Sequence, residues 1–251
     1  MKRGQVTIFI IIAVLIIAGV GIYFAVKTDL FLTQDSDVVE IKKFISQCLK
    51  ETSVDAIYFV SSQGGYYKIP GFYYEDSSIK VPIYYDSGNK NVPGLGLIED
   101  EFENYVIENI DDCIDDFKLF RENGFDFEKG EVSVRVNILG DEVVFNLDYP
   151  VRITKGDIDE RLNSFREKIG LDFTEKYKLV KKVADNYERD PSYIPFSYLT
   201  LLSYENDFTY SISHANEDIV VFSLVFNEPV LEEPLIYSFA IKYNWENLDE
   251  V

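Results

Sequence analysis

Twenty-one consecutive residues, Val6 to Val26, carry no charged side chain, and they follow directly on Met1-Lys2-Arg3-Gly4-Gln5. As a helix the run is roughly 31 Å long, which matches the hydrocarbon thickness of a bilayer, so the spacing predicts a membrane span. No other feature constrains the architecture as much, because a body tethered by one short helix must fold on one side of the membrane. Basic side chains decide which side. Lys2 and Arg3 precede the run, whereas Lys27 is soon followed by Asp29, Asp35 and Asp37, which predicts a cytoplasmic N-terminus and an extracytoplasmic body at the cell membrane. The run exceeds the roughly 7–15 residue apolar core of a cleavable secretory signal, and Phe24-Ala25-Val26-Lys27 offers no small-x-small cleavage site. It reads as a retained signal anchor, with Ala18, Gly21 and Ala25 on one face where a second helix can approach closely.

Beyond the run lie all 44 acidic residues and 22 of the 24 basic ones, a net charge of −22 on the body. Phosphates repel such a surface, so nucleic acid is excluded as a partner, while cations and basic surfaces are attracted. Hydrophobic residues make up 47% of the chain, which over about 225 residues supports a folded core rather than disorder.

Two cysteines occur, Cys48 and Cys113. Ile41, Ile45, Cys48, Leu49, Thr52 and Ala56 mark one helix face, and Phe102, Val106, Ile110, Cys113 and Phe117 mark another. Both cysteines therefore sit where two helices would touch, in a body expected to face an oxidising exterior, and a Cys48–Cys113 disulfide is predicted.

After a short polar stem, Asp37-Val38-Val39-Glu40 has the form of a capping box that opens a helix from about Val38 to Ser62, closed by Gly64-Gly65. Residues 66–97 are rich in Gly, Pro and Tyr, and Ile69-Pro70-Gly71, Val81-Pro82 and Val92-Pro93-Gly94 read as turns in a structured insertion with one or two short strands. A second helix is predicted from about Ile98 to Asn123. Val132, Val134, Val136 and Ile138 alternate with polar residues, and Gly140-Asp141 turns the chain into Val143–Val151, a β-hairpin. Ile158, Leu162, Phe165 and Ile169 stand at helical spacing, and a further helix is predicted over about Thr174–Tyr187. Three strands follow, Phe208–Ser213, Ile219–Phe226 and Leu235–Tyr243. The expected fold is α+β: an N-terminal transmembrane helix, a disulfide-stapled helix pair, a β-hairpin, a second helix pair and C-terminal antiparallel strands. The corresponding divisions are 1–27 (tip and span), 28–37 (stem), 38–151 and 152–251.

The opening Met-Lys-Arg-Gly-Gln-Val-Thr-Ile-Phe resembles an archaeal class III, type IV pilin-like signal segment, which implies cleavage after Gly4 and a filament built on the apolar helix. Pilins carry a glutamate where this chain has Phe9, and a carboxylate in hydrocarbon needs a partner such as a neighbouring subunit's amino terminus. Through Cys48, Gln63-Gly64-Gly65-Tyr66, Tyr84-Tyr85, Cys113 and Asp148-Tyr149-Pro150 the chain is also similar to a family of single-span membrane proteins of archaea, which implies an anchored exterior body and supplies no activity.

Tyr66, Tyr67, Tyr73, Tyr74, Tyr84 and Tyr85 lie among Gly and Pro, the composition of a rigid amphipathic contact surface, and form the candidate partner surface for an envelope protein or glycan. The acids Glu99, Asp100, Glu101, Glu103, Glu108, Asp111, Asp112, Asp115 and Asp116 lack the EF-hand spacing and read as a solvated helix face. His214, the single histidine, reads as a turn residue, since no G-x-S-x-G elbow exists to give it a nucleophile. Gly-rich phosphate loops are absent from the sequence. We therefore expect no enzyme, cofactor or metal site, and a binding or scaffolding role in the cell envelope. A pilin-like subunit and an exterior hydrolase that draws a carboxylate pair from the many acids are the alternatives.

Overall fold

The computed structural model describes residues 36–245 apart from Ser78 and Ser87. The predicted Val6–Val26 span, its flanking residues Lys2, Arg3, Lys27, Asp29 and Asp35 and the Gly4-Gln5 junction lie outside these residues, and among the described residues no helix is long and apolar enough to cross a membrane. The chain divides into two compact units, 1–43 and 44–251, and the described part of the first is the opening of helix α1 (Ser36–Ser62). Asp37 lies inside the first turn rather than capping it, where its charge suits the helix dipole. Further along, Ile45, Cys48, Leu49, Ala56 and Val60 are buried at helical spacing.

The body is α+β, with two sheets. Strands β1 (Tyr73–Glu75), β2 (Lys80–Asp86), β8 (Phe208–His214), β9 (Ile219–Phe226) and β10 (Leu235–Lys242) form one sheet in the order β1-β2-β10-β9-β8, with β3 (Asn89–Lys90) beside β2. Its pairings are antiparallel except β2 with β10, which run parallel. Residues 66–97 are thus no insertion, because they supply an internal strand. Val81-Pro82, expected to turn, lies within β2. Ile83 N–H donates to Phe72 O at 2.9 Å, which makes the neighbouring Tyr73–Pro82 pair one without ladder bonds, and the parallel pairing to β10 begins only at Ile83. The proline's missing N–H therefore costs nothing on either side.

Helix α2 (Leu95–Ile114) buries Ile98, Phe102, Val106, Ile110 and Ile114, one every fourth residue. It stops nine residues before the expected Asn123, because Asp115, Asp116 and Phe117 turn left-handed with φ of 44°, 49° and 57° before the short helix α3 (Lys118–Arg121). Three such non-glycine residues cost about 1 kcal/mol each or more. Burial of the Phe117 ring offsets this, stacked on Phe127 at 4.2 Å, as do the ion pairs of Asp116 with Lys129 (3.2 Å) and Arg121 (3.3 Å).

The second sheet is built on β6 (Val143–Lys155). Strands β4 (Asp126–Lys129) and β5 (Ser133–Ile138) lie end to end along one of its edges, and β7 (Ile158–Ile169) runs along the other. The β5–β6 hairpin is as expected. The helix expected around Ile158–Ile169 is instead β7, and the reason lies in its partner. Tyr149 and Pro150 of β6 oppose the single residue Asn163, a β-bulge that shifts the inward phase of β7 by one residue. Phe165 and Ile169 are buried on one side of the bulge, Ile158 and Leu162 are half-buried on the other, and the resulting 4-3-4 spacing imitates a helix. Strand β6 also runs through positions 151 and 152, so both sequence halves share this sheet.

Helix α4 (Phe173–Ala184) starts where the Asp172 carboxylate accepts from Glu175 N–H at 2.9 Å. Helix α5 (Phe196–Glu205), which lacks a periodic sequence signal, precedes β8. The core between the sheets is a chain of rings: Phe102 meets Phe145 at 6.1 Å and Phe173 at 5.4 Å, and Phe173 meets Tyr237 at 6.4 Å.

Candidate functional site

Strand geometry scatters the tyrosines that the sequence groups. Successive residues of a strand point to opposite faces. Tyr84 enters the core, stacked on Phe239 at 4.6 Å and donating to Gly64 O at 2.7 Å, while Tyr85 is buried against Tyr187 and donates to the Asp185 carboxylate at 2.6 Å. Tyr66 is buried too, donating to Asn91 O, and burial pushes its phenol up to about 12, with Glu101 and Tyr177 adding to the shift. Tyr66, Tyr84 and Tyr85 are therefore core residues, closed to a partner. Tyr73 is exposed under Lys80, whereas Tyr74, on the opposite side of β1, is half-buried against Val81, Ile83, Val221 and Ala240 and donates to the Asp76 carboxylate.

Tyr67 alone of the six joins an accessible cluster. Its ring meets Tyr105 of α2 at 5.1 Å and Phe59 of α1 at 5.8 Å, and Phe59 meets Tyr105 at 5.4 Å. Phe59 is 41% exposed. The Tyr67 loop is held by Glu101, which accepts from Tyr67 N–H (2.6 Å) and Lys68 N–H (3.1 Å), and by the Lys68–Glu108 ion pair. That pair holds the Glu108 carboxyl below and the Lys68 ammonium above their ordinary ranges.

One turn back along α1 the same surface becomes acidic. Glu51, Asp55 and Tyr58 line a cleft of about 630 Å³ together with Glu232 and Glu233 from the β9–β10 connection, four acids against the single base Lys50. Tyr58 fixes that connection, donating to Glu233 O at 2.8 Å and accepting from Glu233 N–H at 2.9 Å. Partial burial raises the Asp55 carboxyl, and the neighbouring Glu51 charge raises it further. Tyr105 is raised by burial and then by Asp55, so the acids and rings share one electrostatic environment. Carboxylates beside ring faces suit an ammonium or guanidinium group, through charge and cation–π attraction together.

The acidic run on α2 is more than a solvated face. Glu103 accepts from Val136 N–H at 2.9 Å, Glu99 from Ile138 N–H at 2.7 Å, and Asp111 from Tyr149 OH at 3.0 Å. Two glutamates one turn apart thereby satisfy the outward amides of edge strand β5. Among the described residues no group of three or more His, Cys, Asp or Glu side chains is placed to hold a metal ion. His214 is the exposed last residue of β8 rather than a turn residue. Cys48 and Cys113 are bonded, Cα atoms 5.6 Å apart, joining α1 to α2 as the sequence predicts. Phe59 and Tyr105 escaped sequence reasoning because each continues an amphipathic pattern in which an aromatic ring reads as core. Scans of protein-family models, curated proteins and solved structures return no match to this chain.

Proposed function

We propose that this chain is a membrane-anchored extracytoplasmic protein, a non-enzymatic binding or scaffolding component of the cell envelope that docks a cationic segment of an envelope protein on the outer side of α1. The Cys48–Cys113 bond carries the location, since structural disulfides persist in oxidising compartments and thiols stay reduced in the cytosol. Val6–Val26 is the anchor in this reading, with the N-terminus cytoplasmic. Protease added to intact cells then removes the body and leaves a membrane fragment whose mass begins at Met1 or Lys2. A fragment beginning at Gln5 would replace the anchor by the pilin-like alternative, and a body that resists protease until lysis would overturn the orientation.

The docking surface is supported by the Phe59–Tyr67–Tyr105 cluster lying beside Asp55, which Glu51 in turn adjoins. Phe59→Ala with Tyr105→Ala, which leaves every charge in place, weakens binding of an oligolysine peptide by about tenfold with an unchanged melting temperature. Unaltered affinity would reduce the attraction to bulk charge and remove the site. A second reading, an exterior hydrolase, is favoured by one observation, the raised Asp55 carboxyl beside Glu51 in the cleft; there Asp55 is the proton donor.

A further inference from the structure

Five of the six outer strands of the two sheets carry a device that prevents pairing with another chain, among them β3, which is two residues long and includes Lys90. Strand β1 has three residues, one of them Glu75. Strand β5 has its outward amides capped by Glu99 and Glu103. Strand β4 is three-quarters charged, with Asp126, Glu128 and Lys129. Strand β7 carries Asp159, Glu160, Arg161, Arg166, Glu167 and Lys168. Natural sheets manage exposed edges in these ways. Strand β8 has none of them: it is seven residues long and contains neither a Lys, Arg, Asp or Glu nor a proline.

Its free groups can be placed. Ala215 N–H donates to Ile219 O at 2.9 Å, and the register pairs His214 with Val220, so Ser213, Ser211 and Thr209 direct their backbone groups toward β9. The backbone N–H and C=O of Tyr210, Ile212 and His214 consequently face away from the sheet. Helix α5 does not cover them. Thr200 Oγ1 is 2.9 Å from Tyr210 Oη, which seats α5 against the side-chain face that also holds buried Phe208. The helix adds Phe196, Leu201 and Tyr204 as exposed apolar side chains, Tyr204 88% exposed. From Pro191 to Ala215, only Glu205 and Asp207 are charged, in a chain that is 27% charged.

We infer that β8 is a pairing edge for β8 of a second copy of this chain, antiparallel about a two-fold axis at Ser211. The chemistry of Phe208-Thr209-Tyr210-Ser211-Ile212-Ser213-His214 is symmetric about that residue. Such pairing sets Thr209 against Ser213 on the solvent face and Tyr210 against Ile212 on the α5 face, both favourable cross-strand combinations. It also sets outward-facing residues opposite one another, Tyr210 with Ile212 and Phe208 with His214, as ladder bonds require. Charge selects the same surface. Two bodies of net charge −22 repel one another, and the 191–215 segment lets them meet with few acids apposed.

Sedimentation velocity of the full chain in detergent tests this, with dimers expected at micromolar concentration and a dimer dissociation constant that tightens severalfold between about 0.05 and 0.5 M salt. Ile212→Pro removes an outward N–H and no intrasheet bond, so it should yield folded monomers. Ser211→Lys should do the same if the proline variant fails to fold. Ser211→Cys should cross-link to itself under mild oxidation. A wild-type monomer at about 100 μM, or dimers that persist unchanged in both the Ile212→Pro and Ser211→Lys variants, would overturn the inference. The second outcome would place association in the apolar N-terminal run.

Discussion

Replacing Cys48 and Cys113 together by alanine is expected to lower the stability of the body by about 4 kcal/mol, because the bond closes a 65-residue interval and removes that loop's entropy from the unfolded chain. For a body of this size the melting temperature should fall by roughly 8–16 °C. Without the bond α1 and α2 still meet through Phe59 and Tyr105, rings 5.4 Å apart, and each keeps a buried apolar face, Leu49 and Ala56 on α1 and Val106 and Ile110 on α2. The reduced protein should therefore remain folded at 25 °C and unfold cooperatively at the lower temperature. Circular dichroism melts with and without reductant measure the difference, and a change under about 3 °C would mean that the contacts alone set stability.

Gly64→Ala is expected to cost a comparable amount, about 2–4 kcal/mol. Gly64 ends α1 at φ +60°, and a Cβ there would lie 2.6 Å from Pro82 Cγ and 2.7 Å from Ser238 O. The left-handed conformation costs about 1 kcal/mol for alanine and overpacking against rigid neighbours about 1–3 kcal/mol. Neither neighbour can yield cheaply, since one is a ring inside β2 and the other a carbonyl of β10. The helix end also accepts from Tyr84, whose hydroxyl lies 3.0 Å from that of Tyr237, so displacement would propagate into a buried network. Gly71→Ala, where a Cβ meets open space, is the control and should shift the urea midpoint little. Equal midpoints for the two variants would show that the helix end moves freely over the sheet.

Local signals explain what the sequence revealed. Glycine pairs and helical periodicity mark α1, alternation and Gly140-Asp141 mark the β5–β6 hairpin, and continuous apolar runs mark β9 and β10. The disulfide followed from two faces that each carry one cysteine. The misreadings come from residues whose state is decided by a partner far away in sequence. Ile158–Ile169 imitates a helix because a bulge in β6 changes its phase, and Pro82 sits in a strand because neither neighbouring ladder requires an N–H at its position. The left-handed turn at Asp115–Phe117 exists to stack Phe117 on Phe127. The candidate site suffered likewise. Tyr66, Tyr84 and Tyr85 carry the composition of a surface loop, and the pairing of β2 with β10, which no local signal announces, buries them. Asp55 and Glu51 are two acids among 44 in the sequence, and only the Tyr58–Glu233 bond brings Glu232 and Glu233 to the cleft they line.

The parallel pairing of β2 with β10 sets a timetable. Ile83 lies beside Ala240, partners 157 positions apart, and such distant pairings are slow to form because the intervening loop must close first. While the chain is being made, β2 has an open flank until residues 235–242 emerge, and Tyr84 lacks both Phe239 and Tyr237. The larger sheet is therefore completed only after the other described elements have been synthesised. Under the export proposed above, the same order leaves the larger sheet open while residues 36–234 cross the membrane, and β10 completes it on the far side.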